Sequence, residues 1–133
     1  GDMQNLMNRL CPLLDPVLEI RQERTRARFH TDVQLRQIVL VATSGWWELE
    51  NMDVVVHIVK ELAENASVNF AGSLLRPHSS IMKSKGKITE QGQAVLDAAR
   101  CAGSELARDG KMDPFTLQGV SRPLISVEDY YRN

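Results

Sequence analysis

The sequence predicts an α/β domain that contains buried parallel strands. Residues 37–42 include the run IVLVA, a continuous apolar stretch of strand length, which is typical of a strand buried on both faces. A second strand is predicted over residues 68–75, VNFAGSLL. Between them, residues 52–66 carry apolar side chains at helical spacing. Two parallel strands joined by a helix form a βαβ unit, so these three segments define the fold class.

The segments before this unit predict a helix and a short hairpin. Apolar side chains at i, i+3, i+4 and i+7 predict an amphipathic helix over residues 3–14, with Asp2 as its N-cap. Residues 17–35 predict short extended segments, either a hairpin or an edge strand. Arginines there alternate with Glu19 and Glu23, and such interspersed charges favour a solvated excursion over a phosphate-binding or partner-binding patch.

The second strand is followed by polar residues and then by a long helix. Residues 76–80 and the basic stretch up to Lys87 predict a mobile, solvated loop rather than a site for a phosphate-bearing ligand. Residues 88–109 predict a helix with Thr89 near its start and Gly110 as its C-cap.

A helical tail is predicted over residues 110–133. Asp113 precedes a proline and predicts the N-cap of one short helix. Ser126 resembles the first residue of a capping box for a last helix that carries Tyr130 and Tyr131. The tail has no catalytic signature, so we expect it to dock onto the domain or onto a second subunit.

Composition bounds the class of protein. The chain has 133 residues, of which 43% are hydrophobic and 25% charged, and its net charge is −1. This predicts a single domain over residues 1–133, with no electrostatic case for nucleic acid or a membrane surface. No apolar run approaches the ~20 residues of a membrane-spanning helix. Cys11 and Cys101 lie among apolar neighbours, which predicts buried, reduced thiols in a cytoplasmic protein.

The candidate ligand site is the turn that follows the first predicted strand. In open α/β sheets, ligands bind beyond the carboxyl ends of the parallel strands. Thr43, Ser44 and Gly45 offer hydroxyls and a backbone that a ligand can approach closely. Trp46 and Trp47 follow, either as a platform for a flat ring or as a packing or subunit contact. No spacing predicts a metal site, and no motif predicts a catalytic residue.

A family resemblance runs through these segments in order. GDMQNLMNRL, VLVATSGWWELENMD, VNFAGSLLRPH and KMDPFTLQGVSRPLISVEDY resemble the C-terminal half of a flavodoxin-like NAD(P)H-dependent FMN reductase. The resemblance implies a three-layer flavodoxin-like parallel sheet. That sheet would be incomplete, because the family's N-terminal strands and phosphate-binding loop have no counterpart in this sequence. The chain opens in a helical pattern, and we therefore expect it to be a fragment.

The resemblance also implies a cofactor, a substrate and a set of contacts. FMN would accept hydride from NAD(P)H, and the chain would place the flavin without an acid or base of its own. Residues implied to border the flavin ring are Gly1, Asp2, Met3, Thr43, Ser44 and Gly45, with Trp46 and Trp47 near the ring or an adjoining subunit. Exposed sheet edge and apolar faces predict a homo-oligomer, and the isolated chain is expected to bind FMN weakly or not at all.

Two other interpretations remain open. The second hypothesis is a non-catalytic α/β fragment that serves folding and subunit contacts, in which the strand-end turn is structural. A different doubly wound domain, such as a receiver or a nucleotide-binding module, is the third hypothesis. A receiver's phosphoacceptor strand should end in aspartate, and neither predicted strand does.

Overall fold

The computed structural model describes residues 1–132, which group into two compact units. The first unit comprises Gly1–Ile38 and Ile58–Phe70, and the second comprises Val39–His57 and the chain from Ala71 onward. The structure mixes helices with short parallel and antiparallel pieces of sheet, which confirms the predicted α/β class. Each of the three sheets has two strands.

The first unit opens with a helix and a hairpin, as the sequence predicts. Helix α1, Asp2–Leu10, continues into a 3-10 turn, Cys11–Leu13. Strands β1, Glu19–Arg21, and β2, Arg24–Arg26, pair antiparallel. The prediction of Asp2 as N-cap is wrong. Gly1 occupies that position, and the Asp2 carboxylate lies in the first helical turn, where the helix dipole favours a negative charge.

The arginines of this hairpin do not form the solvated excursion that the sequence predicts. The Arg21 guanidinium donates to the backbone carbonyls of Ala27 at 2.6 Å and Glu64 at 2.9 Å. Arg26 is buried and donates to the Glu61 carboxylate at 2.9 Å. Carbonyls at a helix C-terminus lack intrahelical partners, so arginines that reach them bind the hairpin to the helix end.

The predicted βαβ unit is present. Strand β3, Gln37–Thr43, and strand β4, Asn69–Arg76, form the parallel piece of sheet, and helix α2, Asp53–Ala66, lies between them in sequence. The predicted N-cap of this helix is wrong. Asn51 lies inside a 3-10 turn, Leu49–Met52, where its side-chain amide donates to the Glu48 carboxylate at 3.0 Å.

Residues 76–89 form an ordered connection instead of the predicted mobile loop. A 3-10 turn, Ser79–Met82, leads into a small antiparallel hairpin of β5, Lys83–Ser84, and β6, Lys87–Ile88. The backbone of the turn packs closely on the next helix. A Cβ atom added to Gly92 would collide with the Met82 carbonyl oxygen, so only glycine permits this approach.

Three helices complete the second unit, and their predicted caps are confirmed. They are α3, Glu90–Asp109, α4, Pro114–Ser121, and α5, Val127–Arg132; Asn133 of the predicted tail lies outside the described residues. Thr89 accepts from the Gly92 amide at 2.9 Å, and Gly110 ends α3 with φ 70°. Asp113 accepts from the Phe115 amide at 2.8 Å.

The core of the second unit lies between β4 and the two longer helices that follow it. Its buried members are Leu74, Val95, Ala102, Met112 and Val120. Small side chains let α3 and α4 approach each other closely, since a Cβ atom added to Gly119 of α4 would lie 3.1 Å from the Cβ of Ala98. Across residues 1–132, no helix is long and apolar enough to cross a membrane.

Both cysteines are unpaired, but the prediction that they are buried is wrong. Cys11 and Cys101 are exposed. No residue of α1 is buried, so the helix that leads into Cys11 offers the thiol no interior. Cys101 lies on the outer face of α3, one residue before the buried Ala102, and its thiol contacts the Glu105 carboxylate at 3.4 Å.

Candidate functional site

The turn after β3 is joined to the end of β4 by backbone hydrogen bonds. The Ser44 amide donates to the Arg76 carbonyl at 2.9 Å, and the Ser79 amide donates to the Ser44 carbonyl at 2.9 Å. The His78 amide donates to the Trp46 carbonyl at 2.8 Å. The Ser44 hydroxyl accepts from the Trp46 amide at 3.0 Å. Much of the polar capacity of the turn therefore stabilises the turn itself.

An aromatic cluster packs beside this turn. The rings of Trp47 and His78 stack with their centroids 4.6 Å apart and their planes 17° apart. Tyr130 of α5 lies 5.4 Å from the Trp47 ring, and its hydroxyl donates to the Gly45 carbonyl at 2.7 Å. Tyr131 lies edge-on to Tyr130. The last helix of the predicted tail, α5, is thus docked beside the turn by its two tyrosines.

A pocket of about 1090 Å³ opens next to the cluster. Its lining comes from four parts of the second unit: the turn, the β5–β6 hairpin with its preceding residues, the start of α3, and the tail. The lining residues are Trp46, Trp47, Glu48, Ser80, Ile81, Lys83, Ser84, Thr89, Gln91, Leu124, Ile125, Tyr130 and Tyr131. Trp46 and Tyr131 are 69% and 67% exposed, so large aromatic faces are available to a ligand.

One carboxylate at this pocket already has internal partners. Glu48 accepts from the Tyr131 hydroxyl at 2.9 Å and from the Asn51 amide at 3.0 Å. Its own backbone amide, the Tyr131 hydroxyl and Asn51 together hold the pKa of Glu48 below its usual value, in that order of importance. The hydrogen bond to Glu48, and secondly the negative charge of that carboxylate, raises the pKa of the Tyr131 hydroxyl.

Behind the cluster lies a buried arginine. Arg76 is 3% exposed, and its Nη1 donates to the carbonyls of Val120 at 2.9 Å and Arg122 at 2.8 Å. Within residues 1–132, Nε and Nη2 of Arg76 have no hydrogen-bond partner. Burial, and secondly the charge of Arg122, lowers the pKa of the Arg76 guanidinium.

His78 is buried in the same place, and its backbone is left-handed. It is 1% exposed with φ 36°, and neither ring nitrogen has a partner of acceptable hydrogen-bond geometry in the described chain. Burial, followed by the charge of Arg76, lowers the pKa of His78, while the nearby Trp47 backbone opposes part of that effect. The imidazole is therefore held neutral as an aromatic packing element.

The predicted site residues fall into different places. Gly1, Asp2 and Met3 are exposed at the start of α1 in the first unit, where Asp2 borders only a hollow of about 260 Å³. Trp46 and Trp47 line the large pocket, and Thr43, Ser44 and Gly45 do not. The described residues contain no group of three or more side chains suited to hold a metal ion.

Sequence reasoning missed several residues of the site. The sequence predicts His78 and Lys83 as parts of a solvated loop. It predicts Tyr130 and Tyr131 only as parts of a docking tail. One signal in the sequence indicates these residues. The last predicted helix carries two adjacent tyrosines, and both tryptophans of the chain lie in one turn. Aromatic side chains with polar tips tend to pack where one end is buried and the other meets a partner.

Comparisons with known proteins do not assign the chain to a family. Searches of protein-family models, curated proteins and solved structures each found no significant match. The site is therefore interpreted from its own geometry: a strand-end turn, an aromatic cluster and a pocket with one exposed lysine.

Proposed function

We propose that this chain is the flavin-binding half of an NAD(P)H-dependent FMN reductase with a flavodoxin-like, three-layer parallel sheet. The observation that carries the proposal is the position of the Thr43–Trp47 turn. It follows β3 and is bonded to the last residue of β4 through the Ser44 amide and the Arg76 carbonyl, 2.9 Å apart. The carboxyl ends of adjacent parallel strands are where open α/β sheets bind their ligands.

The turn has room for a flat ring. Apart from Gly45 and its two chain neighbours, no atom lies within 4 Å of the position that a Cβ would take on Gly45, so a planar ligand can approach the backbone there. The exposed indole of Trp46 offers a stacking surface beside it. Bound FMN would supply the hydride chemistry between nicotinamide and acceptor. The residues of the turn would hold the ring and exclude water, and no side chain is assigned as acid or base.

The remaining parts of the proposal rest on the family resemblance. The protein would act as a cytoplasmic homo-oligomer that takes FMN and a nicotinamide nucleotide, without nucleic-acid or membrane partners. α1 supports the oligomer, because none of its residues is buried although its apolar side chains repeat at helical spacing.

A titration of FMN into the chain, followed by amide chemical shifts, tests the proposal. We expect weak binding, with a dissociation constant above about 100 µM, or near −5 kcal/mol. The shifts should concentrate at the Thr43–Trp47 turn. Gly45→Val should abolish them by filling the approach to the backbone. Gly103→Val is the matched control, since Gly103 also faces open space but lies on α3.

Three results would count against this assignment. Shifts elsewhere but not at the turn would place the ligand at another site. Equal affinity in Gly45→Val and the unmodified chain would exclude approach at the turn. Micromolar or tighter binding would contradict the expectation that the chain holds an incomplete site.

A second candidate function is a structural one. Hydrogen bonds within the second unit occupy the Ser44 amide, carbonyl and hydroxyl and the Gly45 carbonyl. This favours a turn whose role is to fix the strand ends and the tail. Under this hypothesis FMN causes no shifts at the turn at any concentration, while substitutions in the turn lower stability.

A further inference from the structure

The flavin proposal uses only Trp46 of the pocket beside the aromatic cluster, and the rest of the lining has a chemical character of its own. One wall is aromatic, since both tryptophans of the chain and both tyrosines line it. Concave sites lined by aromatic side chains with a few polar groups are typical of small-molecule binding. A volume of about 1090 Å³ is sufficient for a ligand of two or more fused rings.

Another part of the lining is polar and carries one cation. Lys83 lines the pocket with the hydroxyl-bearing residues Ser80 and Ser84. Over residues 1–132, Lys83 forms no ion pair within 4.0 Å. The ammonium group is therefore free to meet a charge that arrives with a ligand.

The one carboxylate in the lining does not neutralise this lysine. Glu48 instead accepts hydrogen bonds from Tyr131 and Asn51. Its negative charge belongs to the side of the pocket formed by the turn and the tail. Glu48 would repel a ligand anion, and Lys83 of the hairpin would attract it. These two charges therefore favour one orientation of an anionic ligand in the pocket.

We propose that this pocket binds a planar aromatic ligand that carries one anionic group. The ring lies against Trp46 and Trp47, and the anion faces Lys83. Stacking on an indole provides affinity that tolerates different ring systems, while the single cation selects for charge. The inference requires only the pocket, and it would survive a failure of the flavin proposal.

Calorimetric titration with a matched pair of probes tests this inference. Naphthalene-2-carboxylate and naphthalene-2-carboxamide have nearly the same shape, and only the first is charged near pH 7.5. We expect the carboxylate to bind about fivefold more tightly, as an exposed ion pair contributes up to about 1 kcal/mol. Equal affinity of the two probes would overturn the proposal.

Lysine substitutions locate the charge. Lys83→Met should remove the fivefold preference and leave carboxamide binding unchanged. Lys87→Met is the matched control, because Lys87 lies in the same hairpin and is absent from the pocket lining. If both variants lower carboxylate affinity equally, the effect is a general charge effect and the assignment to Lys83 fails.

The aromatic wall is tested separately. Trp46→Leu should weaken both probes by the same factor, about fivefold, because a stacking contact does not depend on the ligand charge. If the substitution affects neither probe, the ring does not lie on this indole and the proposal fails. Saturation of the chain with FMN then distinguishes two sources of the same chemistry. Competition with the carboxylate would show that FMN occupies this pocket, and independence would show that the pocket takes an aromatic acid other than FMN.

Discussion

The ends of the two parallel strands use polar groups in opposite ways. After β3, the turn Thr43–Trp47 is hydroxyl-rich, and the hydroxyl of Ser44 is bonded within the turn. At the end of β4, Arg76 and His78 are almost fully buried, and four of their side-chain nitrogens lack partners in the part of the chain that the structure describes. From the sequence, the first end was predicted to be a ligand site and the second a solvated loop.

The difference shows that the polarity of a segment does not predict whether the segment is exposed or buried. The polar turn after β3 exposes Trp46 and satisfies its own backbone. The segment at the end of β4 instead packs inside the second unit, where the His78 ring stacks on the Trp47 ring. Buried polar groups without partners are costly and rare, so the second strand end is the more sensitive of the two.

The largest expected effect is at the buried arginine. Arg76→Ala should lower the free energy of unfolding by about 2–3 kcal/mol, because the carbonyls of Val120 and Arg122 lose a charged donor. Release of a desolvated charge offsets part of the loss. Chemical denaturation measures the change. Arg122→Ala is the control, since that side chain is exposed and should contribute within about 0.5 kcal/mol.

Equal losses of unfolding free energy in the two arginine variants would contradict the conclusion that the end of β4 is the more sensitive of the two strand ends. The sensitivity of the β4 end would then come from net charge instead of from burial. A stability gain in Arg76→Ala would mean that the desolvation cost exceeds the two hydrogen bonds, which is the known hazard of a buried charge.

A smaller effect is expected from the titration of His78. Its pKa is lowered in the folded state by burial and by Arg76, so between that value and 6.5 the unfolded chain binds more protons. Stability is therefore full above about pH 6.5 and falls as the pH decreases below it, by at most about 1.4 kcal/mol per pH unit. Denaturation of the unmodified chain from pH 7.5 to pH 5 measures this slope.

His78→Asn provides the comparison without titration at this position. Asparagine tolerates the left-handed backbone that His78 adopts, so the variant separates loss of the imidazole from backbone strain. The pH slope of the variant should be shallower. His30 and His57 are the same in both proteins. Identical slopes in the two proteins would show that His78 does not titrate differently in the folded state.

Much of the local structure could be predicted because its causes are local. The caps at Thr89, Gly110 and Asp113 follow from hydrogen bonds and backbone angles within a few residues. The strands over 37–42 and 68–75 follow from apolar runs of strand length. These predictions agree with the described structure to within one residue at each strand end. The prediction that the first strand is buried on both faces is wrong, because only Leu40 of β3 is buried and Val41 is 70% exposed.

The pocket could not be predicted because its parts are distant in sequence. Tyr130 meets Gly45 across 85 positions, and the burial of Arg76 depends on the carbonyls of Val120 and Arg122. A polar loop and a packed polar wall have the same composition, and only tertiary contacts distinguish them. Trp46 and Trp47 were recognised as candidates because two adjacent tryptophans at a strand end are informative without knowledge of their neighbours.

The smallest effect is expected where the tail meets the β3 turn. Tyr130→Phe removes the hydroxyl that donates to the Gly45 carbonyl and keeps the ring beside Trp47. A single neutral hydrogen bond of this kind is worth about 1 kcal/mol, so stability should fall by that amount. The turn should loosen with it, which hydrogen exchange of the amides from Ser44 to Trp47 would report as faster exchange.

Tyr131→Phe is the matched control for this tyrosine. It removes the hydroxyl that donates to the Glu48 carboxylate, and it leaves the Gly45 carbonyl bonded. The pKa of Glu48 should then rise towards its ordinary value, because the Tyr131 hydroxyl is the second largest cause of its lowered state. Exchange in the turn should stay unchanged. If both variants speed exchange equally, the whole tail fixes the turn, and the Tyr130 hydroxyl has no special part in keeping the β3 end ordered.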